Sequence, residues 1–246
     1  MNQILEGNIS IKAAILANQR VIRQIMVEKK RYSRDTRFIL NQASQRNIKI
    51  NECSRADIDA LASGKTHGGM IAICEERSYQ NLSDYETKDS AFLALLEGIE
   101  DPFNFGYVIR ALYAAGCEGI IVPPRNWNSA AGVVTKASAG ASEYMNMIIA
   151  HDLKETVDVC KKQQFSIVCA LRSAHSLNVY DYTFPRKMIL AIGGELRGLS
   201  KVVIEASDQD IYIPYANDFR NAMTAAGSAA ILGFERLRQQ LKQKTL

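Results

Sequence analysis

The spacing of apolar residues along the chain switches repeatedly between helical and extended patterns. In the N-terminal third it predicts a helix over Ser10 to Ala17 and a strand over Gln24 to Val27. It continues with a helix over Arg34 to Gln45, a strand over Ile48 to Asn51, a helix over Ser54 to Ala62 and a strand over Gly69 to Cys74. The stretch Arg77 to Ser90 is polar and aperiodic. It predicts a linker, with domains over residues 1–78 and 91–246 and residues 79–90 between them.

Beyond the linker the alternation resumes. Strands are expected over Phe92 to Gly98, Gly119 to Val122, Met147 to Ala150, Ser166 to Leu171, Met188 to Ile192 and Asp210 to Ile213. Helices are expected over Asn104 to Ala115, Ser129 to Ala141 and Leu153 to Gln163, with a final one from Asn221 to about Lys242. Short apolar strands separated by helices imply an α/β fold with a mostly parallel sheet covered on both faces. The last helix opens on Ala222, Ala225, Ala226, Gly227, Ala229 and Ala230, small residues that permit close backbone approach by a helix or a ligand.

A chain of 246 residues, 47% of them hydrophobic, can bury one substantial core and a second, smaller one. It contains no apolar run of about 18 residues, and its first residues lack the basic-then-apolar order of a signal peptide, so a soluble cytoplasmic protein with no membrane association is expected. The five cysteines share no CxxC spacing and read as reduced core thiols. His67, His151 and His175 pair with nothing at metal-ligand spacing, so no metal is expected. Charge is uneven: residues 1–80 carry 13 Lys and Arg against 8 Asp and Glu, whereas residues 81–246 carry 17 against 18. Arg20, Arg23, Lys29, Lys30, Arg31, Arg34 and Arg37 form a cluster that is either a solvated face or a surface for a phosphate backbone.

Candidate chemistry gathers in two turns. In the first, Asp101-Pro102 ends a strand, Asn104 is expected to cap the next helix, and Arg110 lies six residues further on. There Arg110 either holds a phosphate bidentately or pairs with Glu100 or Asp101. In the second, an apolar strand leaves through Gly193-Gly194-Glu195-Leu196-Arg197-Gly198. The two glycines are expected to let a ligand touch the backbone, with Glu195 entering the pocket. The spacing is not a dinucleotide fingerprint.

The order Asp101-Pro102-x-Asn104-x-Gly106-x-x-x-Arg110, then Lys136-Ala137-Ser138-Ala139-Gly140-Ala141, then Leu190-x-x-Gly193-x-Glu195-x-x-Gly198-Leu199 resembles the SpoU/TrmH class of RNA ribose 2′-O-methyltransferases, in the SPOUT superfamily. The segment from Glu6-Gly7 to His67-Gly68-Gly69-Met70-Ile71-Ala72 is similar to the ribosomal-protein-like substrate-binding domain of that class. The resemblance implies a trefoil-knotted C-terminal domain, S-adenosylmethionine held near Gly193, Gly194, Gly198, Ile213, Ala222 and Met223, and a homodimer. It also implies an RNA substrate, ribosomal before transfer RNA, that is guided by Arg20, Arg23, Lys29, Lys30, Arg31 and Arg34. Arg110 then holds the adjoining phosphate and acts on the 2′-hydroxyl, Asn104 orients substrate or Arg110, and Glu195 fixes the methionine end or the surrounding loops.

One segment departs from the pattern. Where the family has Ser-Leu-Asn at the start of the last helix, this chain reads Asn217-Asp218-Phe219-Arg220-Asn221-Ala222-Met223-Thr224 after Ile213-Pro214. Counting from Pro214 places Asn221 at the Ser position; counting back from Glu235 places Thr224 at the Asn position. Three readings follow: an active methyltransferase in which Asn221 and Thr224 share the missing work, aided by Arg220; a non-catalytic RNA-binding relative; and a nucleotide-binding enzyme such as a dehydrogenase.

Overall fold

The computed structural model describes residues 2–29, 32–85, 88–124 and 130–243. In chain order the elements are β1 (Gln3–Glu6), α1 (Gly7–Ala17), β2 (Ile22–Glu28), α2 (Arg34–Gln45), β3 (Lys49–Cys53), α3 (Arg55–Asp59), β4 (Met70–Cys74), β5 (Gln80–Asn81), β6 (Ala91–Glu97), α4 (Pro102–Ala114) and β7 (Gly119–Val122). They continue with α5 (Ala131–Ala137), α6 (Ala141–Tyr144), β8 (Asn146–Ile149), α7 (Leu153–Lys162), β9 (Ser166–Ala170), β10 (Leu177–Asn178), β11 (Lys187–Gly193), α8 (Lys201–Glu205), β12 (Gln209–Tyr212) and α9 (Ala225–Gln243). Two compact units result: Met1–Ser78 with Asn126–Tyr144, and Tyr79–Arg125 with Met145–Leu246.

The larger unit is built on an eight-stranded sheet of order β10-β12-β9-β11-β6-β7-β8-β5, every neighbouring pair parallel. Its central strands read as unbroken apolar runs because both faces are covered. Leu93, Leu95, Ile189 and Ala191 face one core with Val157, Phe165 and Val203, and α4 and α9 pack together beside the sheet. All described cysteines are free thiols, four of them buried, and burial pushes those of Cys74, Cys117 and Cys160 up to about 12. They are inert packing groups.

The smaller unit carries a mixed sheet of order β1-β4-β2-β3, with only β2 and β3 parallel. Residues 131–144 belong to it, whereas the sequence placed a helix there over the large sheet. Ser129, the expected start of that helix, lies outside the described residues. Small residues explain the packing. A Cβ on Gly132 would sit 2.6 Å from the Ile4 carbonyl oxygen, and one on Gly140 would sit 2.5 Å from the Ala13 Cβ. Ala139 and Gly140, both at positive φ, break the expected single helix into α5 and α6.

Three further differences concern short or masked signals. The expected linker supplies β5, which pairs with β8, and Leu82, which is buried in the larger core. Two-residue strands such as β5 and β10 carry no readable period. β1 was missed because Gln3 and Glu6 are buried polar residues; Glu6 Oε1 accepts the Ser63 amide at 2.6 Å and Oε2 lies 3.4 Å from Lys136 Nζ.

The Arg20 guanidinium, 3% exposed, donates from Nε and Nη2 to the fully buried Glu143 carboxylate at 2.9 and 2.8 Å, and from Nη1 to Gln3 Oε1 at 2.5 Å. Thr135 donates to the same carboxylate at 3.2 Å. Removing one partner strands the other's charge, so Glu143→Ala is expected to cost about 3–5 kcal/mol in the urea unfolding of the full chain. A loss below about 1 kcal/mol would contradict this account.

Candidate active site at the strand ends of the larger unit

The C-terminal ends of β9, β11 and β12, three adjacent parallel strands, open onto a cavity of about 360 Å³. Ligands of parallel α/β sheets bind at this edge. Its walls are Ala170, Leu171 and Arg172 at the end of β9, Ile192 to Glu195 with Gly198 and Leu199 at the end of β11 and in the loop after it, and Ile211 to Ile213 at the end of β12. Tyr215, the segment Arg220 to Met223 and the first turns of α9 complete it. Gly193, Gly194, Gly198, Ile213, Ala222 and Met223 therefore share one cavity, together with Glu195 and Asn221.

Beyond lining the cavity, Gly193 and Gly194 are required by the chain itself. A Cβ on Gly194 would lie 2.0 Å from the Gly98 carbonyl oxygen, and one on Gly193 would lie 2.4 Å from the Gly198 carbonyl carbon. Backbone passes backbone here, held by the Gly194 amide donating to the Glu97 carbonyl at 2.7 Å. Gly198 differs: its φ of +64° favours glycine, and nothing crowds it.

Asp101, and not Asn104, caps α4: its Oδ1 accepts the Asn104 amide at 2.8 Å, with Pro102 in the first turn. The Asn104 side chain is thereby freed, and its Nδ2 donates to Glu195 Oε1 at 2.7 Å. The same oxygen accepts the Ala225 amide at 2.9 Å. One carboxylate thus joins the β11 loop, the first turn of α4 and the start of α9. Partial burial raises its pKa, but the amides of Ala225 and Glu195 and the Asn104 side chain outweigh burial and hold it below the usual carboxylate range.

The third segment is a loop where the sequence predicted helix. α9 begins at Ala225, and Thr224 is its cap, with Oγ1 accepting the Gly227 amide at 3.2 Å. The Tyr215 hydroxyl accepts the Met223 amide at 3.0 Å and closes the loop. Arg110 lies on the exposed face of α4, not among the cavity residues, and makes no hydrogen bond or ion pair among the described residues. It follows Phe103 and Tyr107, both about half exposed, at i, i+4 and i+7 spacing.

In the smaller unit, Arg20 is removed from the expected RNA-binding cluster by its burial against Glu143. Arg23 is exposed and lies 2.6 Å from Glu75. Lys29, Arg34 and Arg37 are exposed, and Lys30 and Arg31 lie outside the described residues. The sequence reading missed Arg172 and Tyr215. A charged residue directly after a buried parallel strand was the available signal, because that position faces the crevice. Among the described residues there is no metal-binding group of His, Cys, Asp or Glu, and no helix long and apolar enough to cross a membrane.

The lowered Glu195 pKa fixes a pH dependence. Its stabilisation is present above its ordinary value of 4.5 and is lost as pH falls through the lower folded value. Wild type should therefore exceed Glu195→Gln by about 1 kcal/mol at neutral pH, the upper range for a carboxylate at a helix N-terminus, and the gap should close towards pH 3 in parallel urea titrations. A gap unchanged down to pH 3 would remove the carboxylate from this role.

The profile of the SpoU rRNA Methylase family matches residues 91–234, and that of RNA 2′-O ribose methyltransferase substrate-binding domains matches residues 4–80. A Staphylococcus epidermidis protein named for the TrmH family of tRNA/rRNA methyltransferases is 26% identical over 249 aligned positions, 98% of each chain. A crystal structure of an RNA 2′-O ribose methyltransferase superposes at a TM-score of 0.81 with 24% identity, over 98% of this chain and 89% of that one. The SpoU methyltransferase AviRb of Streptomyces viridochromogenes, solved with its cofactor AdoMet, gives 0.82 at 19% identity, over 98% and 91%. These two likenesses concern the fold. Since the first profile spans more than half of its residues, the chain belongs to the SpoU rRNA Methylase family.

Proposed function

We propose that the protein transfers the methyl group of S-adenosylmethionine to a ribose 2′-hydroxyl of RNA, with 23S ribosomal RNA as the substrate ahead of transfer RNA, and that it acts in the cytoplasm as a homodimer. The observation that carries the reading is the cavity at the ends of β9, β11 and β12, braced by the single Glu195 carboxylate. A volume of about 360 Å³ falls within the range of small-molecule sites, and the walls combine Gly193 and Gly194 with apolar Leu171, Ile192, Leu199, Ile213 and Leu232. That lining fits a nucleoside with a flexible polar tail. Gly193, Gly194, Gly198, Ile213, Ala222 and Met223 would hold S-adenosylmethionine, whose sulfonium supplies an already activated methyl group. The threaded path that the family resemblance implies for this domain belongs to the same proposal.

The remaining task is to aim a hydroxyl, and positioning dominates such chemistry. Arg110, uncommitted among the described residues, is assigned to the phosphate beside the target ribose and to the 2′-hydroxyl. Asn104 is committed to Glu195 and acts by holding the loops. The exposed stripe Phe103, Tyr107 and Arg110 is the face assigned to the second copy of the chain, which brings Arg110 towards a completed site. Asn221 at the cavity wall is assigned to the substrate side.

A second reading, an RNA-binding relative without catalysis, draws on the Thr224 hydroxyl, which is occupied in capping α9. One assay separates the two. Incubation with labelled S-adenosylmethionine and total RNA is expected to give methyl incorporation, whereas RNA binding without incorporation establishes the second reading. Arg110→Ala is expected to lower turnover by about a hundredfold or more with cofactor affinity and melting temperature unchanged. A collapse in melting temperature would assign Arg110 to the fold instead. For the smaller unit, replacing Lys29 and Arg34 with Glu should weaken RNA binding and reduce its log–log salt slope by about 0.9 per lost phosphate contact. An unchanged slope would exclude this face.

A further inference from the structure

The loop from Tyr215 to Met223 has surface chemistry that cofactor binding does not account for. Arg172, at the cavity wall, lies over two rings, with its guanidinium carbon 5.8 Å from the Tyr212 centroid and 5.3 Å from the Tyr215 centroid. It is exposed and has no carboxylate partner among the described residues. Arg220, also at the wall, is 90% exposed, and its one ion pair is a 4.0 Å contact with the equally exposed Asp218, which solvent reduces to almost nothing. Between them in sequence is Phe219, 51% exposed, whose ring leans on Tyr215 at 6.0 Å with a 47° tilt. The loop is held in place by the Tyr215 hydroxyl and by the Phe219 amide, which donates to the Asn217 carbonyl at 2.8 Å. The result is a rim bearing two exposed guanidinium groups, one paired only with the exposed Asp218, and one half-exposed aromatic ring.

We infer that this rim is a subsite for an unpaired nucleotide of the RNA next to the methylated ribose. The base stacks on Phe219, and its phosphate is received by Arg172 and Arg220. The inference rests on the methyltransferase reading and adds to it that the strand is single at the site. Stacking on an aromatic side chain requires a base released from its helix, because a paired base has both faces covered. Guanidinium groups supply the matching charge for a phosphate, and Arg172 already rests over two rings. A cofactor carboxylate carries the same kind of charge as the phosphate, so the experiment must separate the two.

Anisotropy of fluorescein-labelled single-stranded RNA and of a duplex of the same sequence, titrated with the full chain, tests the assignment beside calorimetric binding of S-adenosylmethionine. Phe219→Ala is expected to weaken single-strand binding about tenfold, the scale of one stacked base, while Phe219→Tyr retains it. Arg172→Gln together with Arg220→Gln should lower the log–log salt slope by about 0.7 per phosphate contact, and Phe219→Ala, whose ring is not among the cavity walls, should leave cofactor affinity unchanged. Equal binding of duplex and single strand by wild type, or no response to Phe219→Ala, overturns the inference. Loss of cofactor affinity in the Arg172→Gln and Arg220→Gln variant with RNA binding intact also overturns it, by assigning these cations to the cofactor. Should wild type bind RNA but transfer no methyl group, the proposed activity falls, and the same variants still decide whether the rim is a nucleotide subsite.

Discussion

The arrangement of the site depends on one carboxylate oxygen. Glu195 Oε1 accepts a side-chain amide from α4 and a backbone amide from α9, elements that are 91 and 30 residues away in sequence. A helix N-terminus leaves amides without partners, and a carboxylate placed there satisfies one of them while meeting the positive end of the helix dipole. The β11 loop, the first turn of α4 and the start of α9 are therefore positioned by a shared acceptor. The two families of residues that the sequence suggested for chemistry, one after β6 and one after β11, meet through this contact.

Close backbone passage is the second constraint. Gly193 and Gly194 leave β11 where Gly98 and Gly198 already occupy the space a side chain would need. The cavity lies beside this crossing, lined by strand ends that are buried on both faces and so are held rigidly. A site that must aim one atom at another benefits from such walls, because small displacements of the reacting groups are costly in rate. The loop from Tyr215 to Met223 is the less regular wall, and there this chain differs from the family pattern. Thr224 caps α9, Tyr215 closes the loop, and Arg172 and Arg220 supply charge at the rim.

In the smaller unit the same residue type serves opposite ends. Arg20 is buried in a bidentate pair with Glu143, an arrangement that ties β1 and the loop before β2 to α6. Lys29, Arg34 and Arg37 remain in solvent and keep the charge that a phosphate backbone would meet. Linear density of basic residues could not separate these roles, because burial depends on where a distant carboxylate arrives. The carboxylate belongs to residue 143, within the span 91–246 that the sequence reading gave to the other domain.

By itself the sequence determined the alternation of strands and helices, the parallel character of the larger sheet and the two turns that carry Asn104, Arg110 and Glu195, because these are written in local period and in turn chemistry. It also carried the family, through motifs whose spacing survives in order. Tertiary structure decided which polar residues are spent within the fold. Asn104 gave its cap position to Asp101 and turned to Glu195, Gly194 cleared the way for Gly98, Thr224 became a helix cap, and Arg20 left the surface. Each of these roles is set by a partner distant in sequence or by the place where a helix begins, and hydrogen bonding and burial act between neighbours in space, which a linear pattern does not specify.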